Sequence, residues 1–165
     1  MARSATRGSR TPDEAVRALA TNRKARHDYH VEETYEAGIA LLGSEVKSIR
    51  EGRANLRDSY AAFRGGELFL YNCHVSPYAQ ASRFNADPLR PRKLLMRREE
   101  IQRLVGKVEE KGLTLVPLSL YLKGRRVKVG LALARGKKQY DRREDIKRRE
   151  AEREIARAVR SARAE

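Results

Sequence analysis

Apolar and polar positions alternate along much of this 165-residue chain, and the period of the alternation changes from one stretch to the next. Val127, Val129, Leu131 and Leu133 fall at every second position, which predicts a strand with one buried face. Leu113 to Leu122, just before them, is apolar and β-rich, and Lys123-Gly124-Arg125 reads as the turn of a long hairpin. A shorter hairpin is predicted over residues 59–71, with Ser59 to Arg64 and Glu67 to Tyr71 on either side of Gly65-Gly66. Ile101, Leu104, Val105 and Val108 follow the i, i+3, i+4, i+7 spacing of an amphipathic helix, and Gly112 is its stop. Ser44 is the expected cap of a short helix in which Leu42, Val46 and Ile49 share a face and Gly52 ends it. Tyr29-His30-Val31 and Ala40-Leu41-Leu42 read as strand around Gly38, where a bend or bulge is expected.

The pattern fails at both ends and in one internal stretch. Met1 to Arg10 is rich in Ser, Arg, Ala and Gly and is expected to be disordered. Thr11-Pro12-Asp13-Glu14 has the cap, first-turn proline and capping-box glutamate of a helix start, so a short helix bearing Val16 and Leu19 is expected. Residues 76–93, with Pro77, Pro88 and Pro91, read as a loop. Arg135 to Glu165 holds 12 basic and 7 acidic residues, with only Ile146, Ile155 and Val159 as larger apolar side chains. Its charge spacing favours a helix, but its apolar stripe is too thin to pack on a core. Such a tail is expected to be disordered when free and helical when bound.

Several short strands with few helices predict a mainly β fold with flanking helices, a small β-barrel of the oligonucleotide-binding type. Charge then narrows the partner. Lys and Arg number 37 against 22 Asp and Glu, a net charge of +15. A compact chain with that surplus repels itself unless a polyanion is near, and nucleic acid supplies one. The charge divides as +2 over residues 1–21, +8 over 22–134 and +5 over 135–165. These regions read as a partly disordered extension, a β-barrel RNA-binding domain and a basic tail. A membrane surface would need an amphipathic helix with bulky anchors or a lipidated cysteine, and the sequence has neither. There is no secretory apolar segment and no apolar run of roughly 20 residues. Cys73 stands alone, so no disulfide framework is expected, and the cytoplasm is the default compartment.

Candidate chemistry is sparse. His27, His30 and His74 lack the ligand number and spacing of a zinc site. Glu32, Glu33 and Glu36 have three readings: a magnesium-binding nuclease site, a carboxylate that accepts from a base edge or orients an arginine, or a solvated strand edge. No nucleophile elbow and no phosphate-cradling loop occurs, so no catalytic residue, metal or cofactor is expected. Arg90, Arg92, Lys93, Arg97 and Arg98 form a basic cluster. Asn22-Arg23-Lys24-Ala25-Arg26 and Gly136-Lys137-Lys138 are two more. Tyr60, Phe63, Phe69 and Tyr71 are expected in the core. That leaves few stacking platforms and favours a folded RNA recognised by shape and phosphate.

The ordered motifs Asn22-Arg23-Lys24-Ala25, Glu36-Ala37-Gly38-Ile39, Gly43 to Arg50, Asp87-Pro88, Arg92-Lys93-Leu94-Leu95, Leu118 to Tyr121 and Arg135 to Asp141 run from Asn22 to the C-terminus. In them the chain closely resembles the SsrA-binding proteins, the small protein B (SmpB) family. The resemblance implies a barrel that binds the transfer-RNA-like domain of transfer-messenger RNA and delivers it to stalled ribosomes for trans-translation, with elongation factor Tu in the delivered complex. It implies RNA contacts by Asn22, Arg23, Lys24, Glu36, Arg92, Lys93 and Leu95. It also implies that Gly136, Lys137, Lys138, Tyr140, Asp141, Arg142, Arg143 and Ile155 belong to a tail that reaches the small-subunit decoding centre and messenger channel. Tyr140 stands where the family often has histidine, and Asp141-Arg142-Arg143 where Asp-Lys-Arg is common.

Overall fold

In a computed structural model, residues 16–81, 85–137 and 139–163 are described. The strictly alternating stretch is strand β9 (Arg126–Gly136), paired antiparallel along its length with β8 (Thr114–Lys123). Gly124, at φ +60°, makes the tight turn between them. The shorter predicted hairpin is β4 (Tyr60–Arg64) and β5 (Glu67–Tyr71), and both turn glycines have positive φ. Strand β2 (Tyr29–Ile39) pairs with β9 and, at its end, with β7 (Arg92–Leu95). The ring β8-β4-β5-β7-β2-β9 closes through the β8–β9 pairing, and the barrel leaves few strand edges open. β3 (Ala54–Asn55) and β6 (His74–Val75) form a separate two-stranded ladder.

Inside the barrel, Leu68, Leu70, Leu94, Leu115, Leu120, Val129, Leu131 and Leu133 are buried. Helix α3 (Arg98–Lys111) adds Leu104 to this core and stops at Gly112 in the left-handed conformation. Helix α2 (Gly43–Arg50) adds Ile49. Its N-cap is Leu42 rather than Ser44, and the Glu45 carboxylate accepts from the Leu42 N–H at 2.9 Å. The long apolar run of β8 is buried on both faces. One face points into the barrel, and Val116 and Leu118 meet Ala25 of helix α1 (Arg23–Asp28) outside it.

Four local expectations are corrected. Val16 and Leu19 lie in a strand, β1 (Val16–Thr21), not a helix. β4 pairs with β8 only at Leu115, so the edge of β8 beyond it would present unpaired backbone groups, and β1 covers that edge over Ser119–Lys123. Residues 76–93 are not all loop: a 3-10 turn spans Ala79–Ala81, and Arg92 and Lys93 open β7. Strand parity, not ring size, decides the aromatics. Ala61, Leu68 and Leu70 point inward, and Phe63 packs partly against the core. Tyr60, Phe69 and Tyr71 face outward, with Tyr60 and Tyr71 stacked at 5.4 Å and Phe69 6.4 Å from Tyr71. An exposed ring is therefore present, contrary to expectation: Tyr60 is 41% exposed, while Phe69 and Tyr71 are half-buried.

The tail is a helix, α4 (Gln139–Arg163). Asp145 carries an ion pair with Arg148 one turn on, at 3.2 Å, as the charge spacing implies. Ile146, Ile155 and Val159 are exposed along it, so the thin apolar stripe does not pack on the barrel.

Candidate nucleic-acid interface

Charge, parity and turn geometry assemble one face from three separate stretches of sequence. Glu36 on β2 stands opposite Gly130 of β9, which in turn stands opposite Ser119 of β8. The Tyr121 hydroxyl donates to Glu36 Oε2, and Lys123 Nζ lies 3.3 Å from Oε1. The Tyr121 hydrogen bond, with Lys123 behind it, holds the Glu36 carboxyl below its ordinary value despite the opposing effect of burial. Burial and this same carboxylate push the Tyr121 phenol up.

Around the tip of the β8–β9 hairpin, Lys123, Gly124, Arg125, Arg126 and Lys128 share a cleft of about 380 Å3 with Glu36. A neighbouring cleft of about 350 Å3 is lined by Gly38, Ile39, Leu41, Val46 and Leu95 and by the same Arg125, Arg126 and Lys128. Leu95 is 51% exposed there. A Cβ on Gly38 would meet the Leu95 Cβ at 3.1 Å, so the glycine lets β7 approach β2 and bring Leu95 to this rim. Glu36 and Leu95 are thus brought together by a basic hairpin. By its sequence pattern that hairpin is only a turn. Its signal, Lys123-Gly124-Arg125-Arg126, lay in plain sight.

A second face surrounds α1. The Asn22 side chain is consumed by the fold: Oδ1 accepts from the Ala25 N–H at 3.1 Å, and Nδ2 donates to the carbonyls of Pro117 at 2.9 Å and Leu56 at 3.2 Å. Asn22 is buried and acts by holding α1 on the barrel, not by offering donors to a ligand. Arg23 is exposed, and Lys24 pairs with Asp58 at 2.6 Å. Lys24, Asp58, Tyr29, Tyr60 and Thr114 line a depression of about 260 Å3.

Arg92 requires a correction. Its side chain is 0% exposed and bonds Glu45, the Cys73 carbonyl at 2.6 Å and the Pro88 carbonyl at 3.2 Å. Arg90 binds the same carboxylate, its Nε 3.2 Å from each oxygen. Burial by itself would raise the Glu45 carboxyl, but the hydrogen bonds from Arg90, the Leu42 N–H and Arg92 outweigh it and hold it below its ordinary value. A guanidinium enclosed in this way cannot reach a phosphate. Burial was invisible in the sequence because a basic run with prolines looks the same whether solvated or folded inward. Lys93, the next residue, is exposed and pairs with Glu67 at 2.8 Å.

The three glutamates proposed as one acidic spot are dispersed. Glu32 pairs with Arg135 at 3.5 Å, Glu33 with Lys107 at 2.7 Å, and Glu36 with Tyr121 and Lys123. Among the described residues no three His, Cys, Asp or Glu side chains are grouped to hold a metal. No helix among them is long and apolar enough to cross a membrane.

At the tail's root, the Lys137 N–H donates to the Asp28 carbonyl at 2.9 Å and its ammonium pairs with Asp145. Arg142 lies 3.9 Å from the Asp28 carboxylate. Gly136 closes β9, Arg143 is exposed, and Ile155 is 64% exposed. Tyr140 and Asp141 lie in the first turn of α4, and Lys138 falls outside the described residues.

A family model described as SmpB protein matches residues 19–161. The SsrA-binding protein of Symbiobacterium thermophilum is 66% identical over 146 residues, 88% of this chain and 92% of that protein. The SsrA-binding protein of Bacillus subtilis is 58% identical over 151 residues, 92% of this chain and 97% of that protein. Among solved structures, a chain from "tmRNA-SmpB: a journey to the center of the bacterial ribosome" is 57% identical with a TM-score of 0.61, covering 72% of this chain and 84% of that one.

Proposed function

The chain belongs to the SmpB family, and on that premise we propose that it is an RNA-binding adaptor of trans-translation. It binds the transfer-RNA-like domain of transfer-messenger RNA and brings that RNA to stalled ribosomes. One observation carries the reading at the level of this molecule: Glu36 and Leu95 border two adjoining clefts that share Arg125, Arg126 and Lys128. Among the described residues these three cations form no ion pair, so their charge is available to phosphate. A basic rim with an apolar slot and one oriented carboxylate suits a folded RNA read by backbone shape and a single base edge.

The roles of individual residues follow from their placement. Glu36, Leu95, Lys93, Arg23 and Lys24 face the RNA, whereas Asn22 and Arg92 act from within by holding α1 and β7. The tail, from Gly136 through Lys137, Lys138, Tyr140, Asp141, Arg142 and Arg143 to Ile155, serves the ribosome at the decoding centre and messenger channel. A basic helix with exposed apolar residues supports that role. Elongation factor Tu accompanies the delivered RNA, the setting is the cytoplasm, and the protein works by docking without a cofactor or catalytic step.

Gel-shift titration with the isolated transfer-RNA-like domain, ordinary transfer RNA as competitor and two salt concentrations tests the assignment. Preference for the transfer-RNA-like domain is expected. Replacing Arg125, Arg126 and Lys128 with alanine should lower the slope of log affinity against log salt by about 2 to 3. Equal affinity for both RNAs would overturn the reading.

A further inference from the structure

Tyr121 reaches Glu36 across an intervening strand, and a glycine makes the path. Glu36 is on β2 and Tyr121 on β8, with β9 between them. The residue of β9 opposite Glu36 is Gly130. A Cβ there would lie 3.0 Å from Ser119 Oγ and 3.6 Å from Tyr121 Cε1. The ring therefore lies beside Gly130, where the middle strand has no side chain, and its hydroxyl bonds the carboxylate on the far side. Lys123 Nζ holds the other oxygen, Oε1, at 3.3 Å.

This carboxylate is not a buried structural group. It is 41% exposed and lies on the rim of the hairpin-tip cleft, among cations that outnumber it. A surface glutamate in such company would ordinarily swing between rotamers and cations, and ordering a side chain on binding costs affinity. With Oε2 tied by Tyr121 and Oε1 by Lys123, the carboxylate is fixed before any ligand arrives. Each oxygen still has a lone pair to offer.

We propose that Tyr121 and Gly130 are positioning residues that hold Glu36 as a preorganised acceptor for the amino or imino donors on a base edge of the bound RNA. The inference rests on the reading that Glu36 faces RNA. It adds a specificity element made of one tyrosine, one glycine and one glutamate on three strands. The surrounding cations give strength without sequence information, while the oriented carboxylate rejects an edge that offers only acceptors.

A double-mutant cycle in the full chain tests it, with binding to the transfer-RNA-like domain as the readout. Tyr121→Phe deletes one oxygen and should weaken binding about tenfold, the scale of a hydrogen bond to a charged group. Glu36→Gln should weaken it at least as much, and the double variant should be no worse than Glu36→Gln alone. Gly130→Val, which bars the ring's path, should weaken binding like Tyr121→Phe. A readout without RNA accompanies these: NMR titration of the Glu36 carboxyl should move up toward its ordinary value in Tyr121→Phe. Thermal melting identifies any variant that fails to fold, and the NMR titration of Tyr121→Phe then decides. Unchanged RNA affinity in Tyr121→Phe, additive losses in the double variant, or an unmoved Glu36 titration would each overturn the positioning role. A Glu36→Gln variant that binds as tightly as the wild type, while the NMR shift is seen, would instead overturn the reading that Glu36 faces RNA.

Discussion

Arg92→Leu removes a guanidinium that solvent does not reach and leaves its partners in place. Glu45 would keep Arg90 and the Leu42 N–H, while the carbonyls of Cys73 and Pro88 would lose donors at 2.6 and 3.2 Å. Breaking a buried ion pair from one side costs about 3–5 kcal/mol. The surviving Arg90 contact puts this case toward the lower end, near 3 kcal/mol; the Pro88 carbonyl keeps the Val75 N–H at 3.0 Å, and the Cys73 carbonyl adds about 1 kcal/mol unless water reaches it. With a urea slope of ~2 kcal/mol per M, the unfolding midpoint should fall by about 1.5–2 M. Lys93→Ala is the control, because its pair with Glu67 is exposed on both sides and contributes less than about 1 kcal/mol. Urea unfolding followed by circular dichroism, alongside RNA binding well below the midpoint, separates the two roles. Arg92→Leu should lose stability and Lys93→Ala should lose salt-dependent affinity. An Arg92→Leu protein with an unchanged midpoint and weakened RNA binding would refute the buried-anchor account.

Glu45 also sets an acid limit on stability. Its folded value lies below the ordinary 4.5, so its contribution is complete above that pH and is lost as pH falls below it through the folded value. Glu45→Gln should flatten the acid limb of a stability-against-pH profile, and an unchanged limb would remove Glu45 as its source. Truncation after Lys137 should leave affinity for the transfer-RNA-like domain intact and abolish tagging on stalled ribosomes. The cut belongs there because β9 runs to Gly136 and the Lys137 N–H bonds Asp28; loss of RNA binding would sink the division of labour. A peptide spanning residues 139–163 should show partial helicity by circular dichroism that falls with added salt, since ion pairs rather than packing sustain it. Salt-insensitive helicity would argue otherwise.

Local pattern was enough for much of the fold. The β8–β9 and β4–β5 hairpins, α2, α3 and the α4 helix are legible because period, turn glycines and charge spacing are properties of neighbouring residues. Charge alone pointed to a polyanion, and the ordered motifs pointed to the family. The tertiary structure decided what depends on distant partners. It made Val16–Thr21 a strand because β8 had an edge to cover, and it turned Tyr60 and Tyr71 outward because parity admitted Leu68 and Leu70 instead. It withdrew Asn22 and Arg92 from the surface, since their hydrogen bonds run to carbonyls and a carboxylate far along the chain. It also joined Glu36, Leu95 and the Lys123–Lys128 hairpin into one face, and aimed Tyr121 at Glu36 over Gly130. Burial and convergence are set by barrel closure, a relation among strands that no single stretch of the sequence contains.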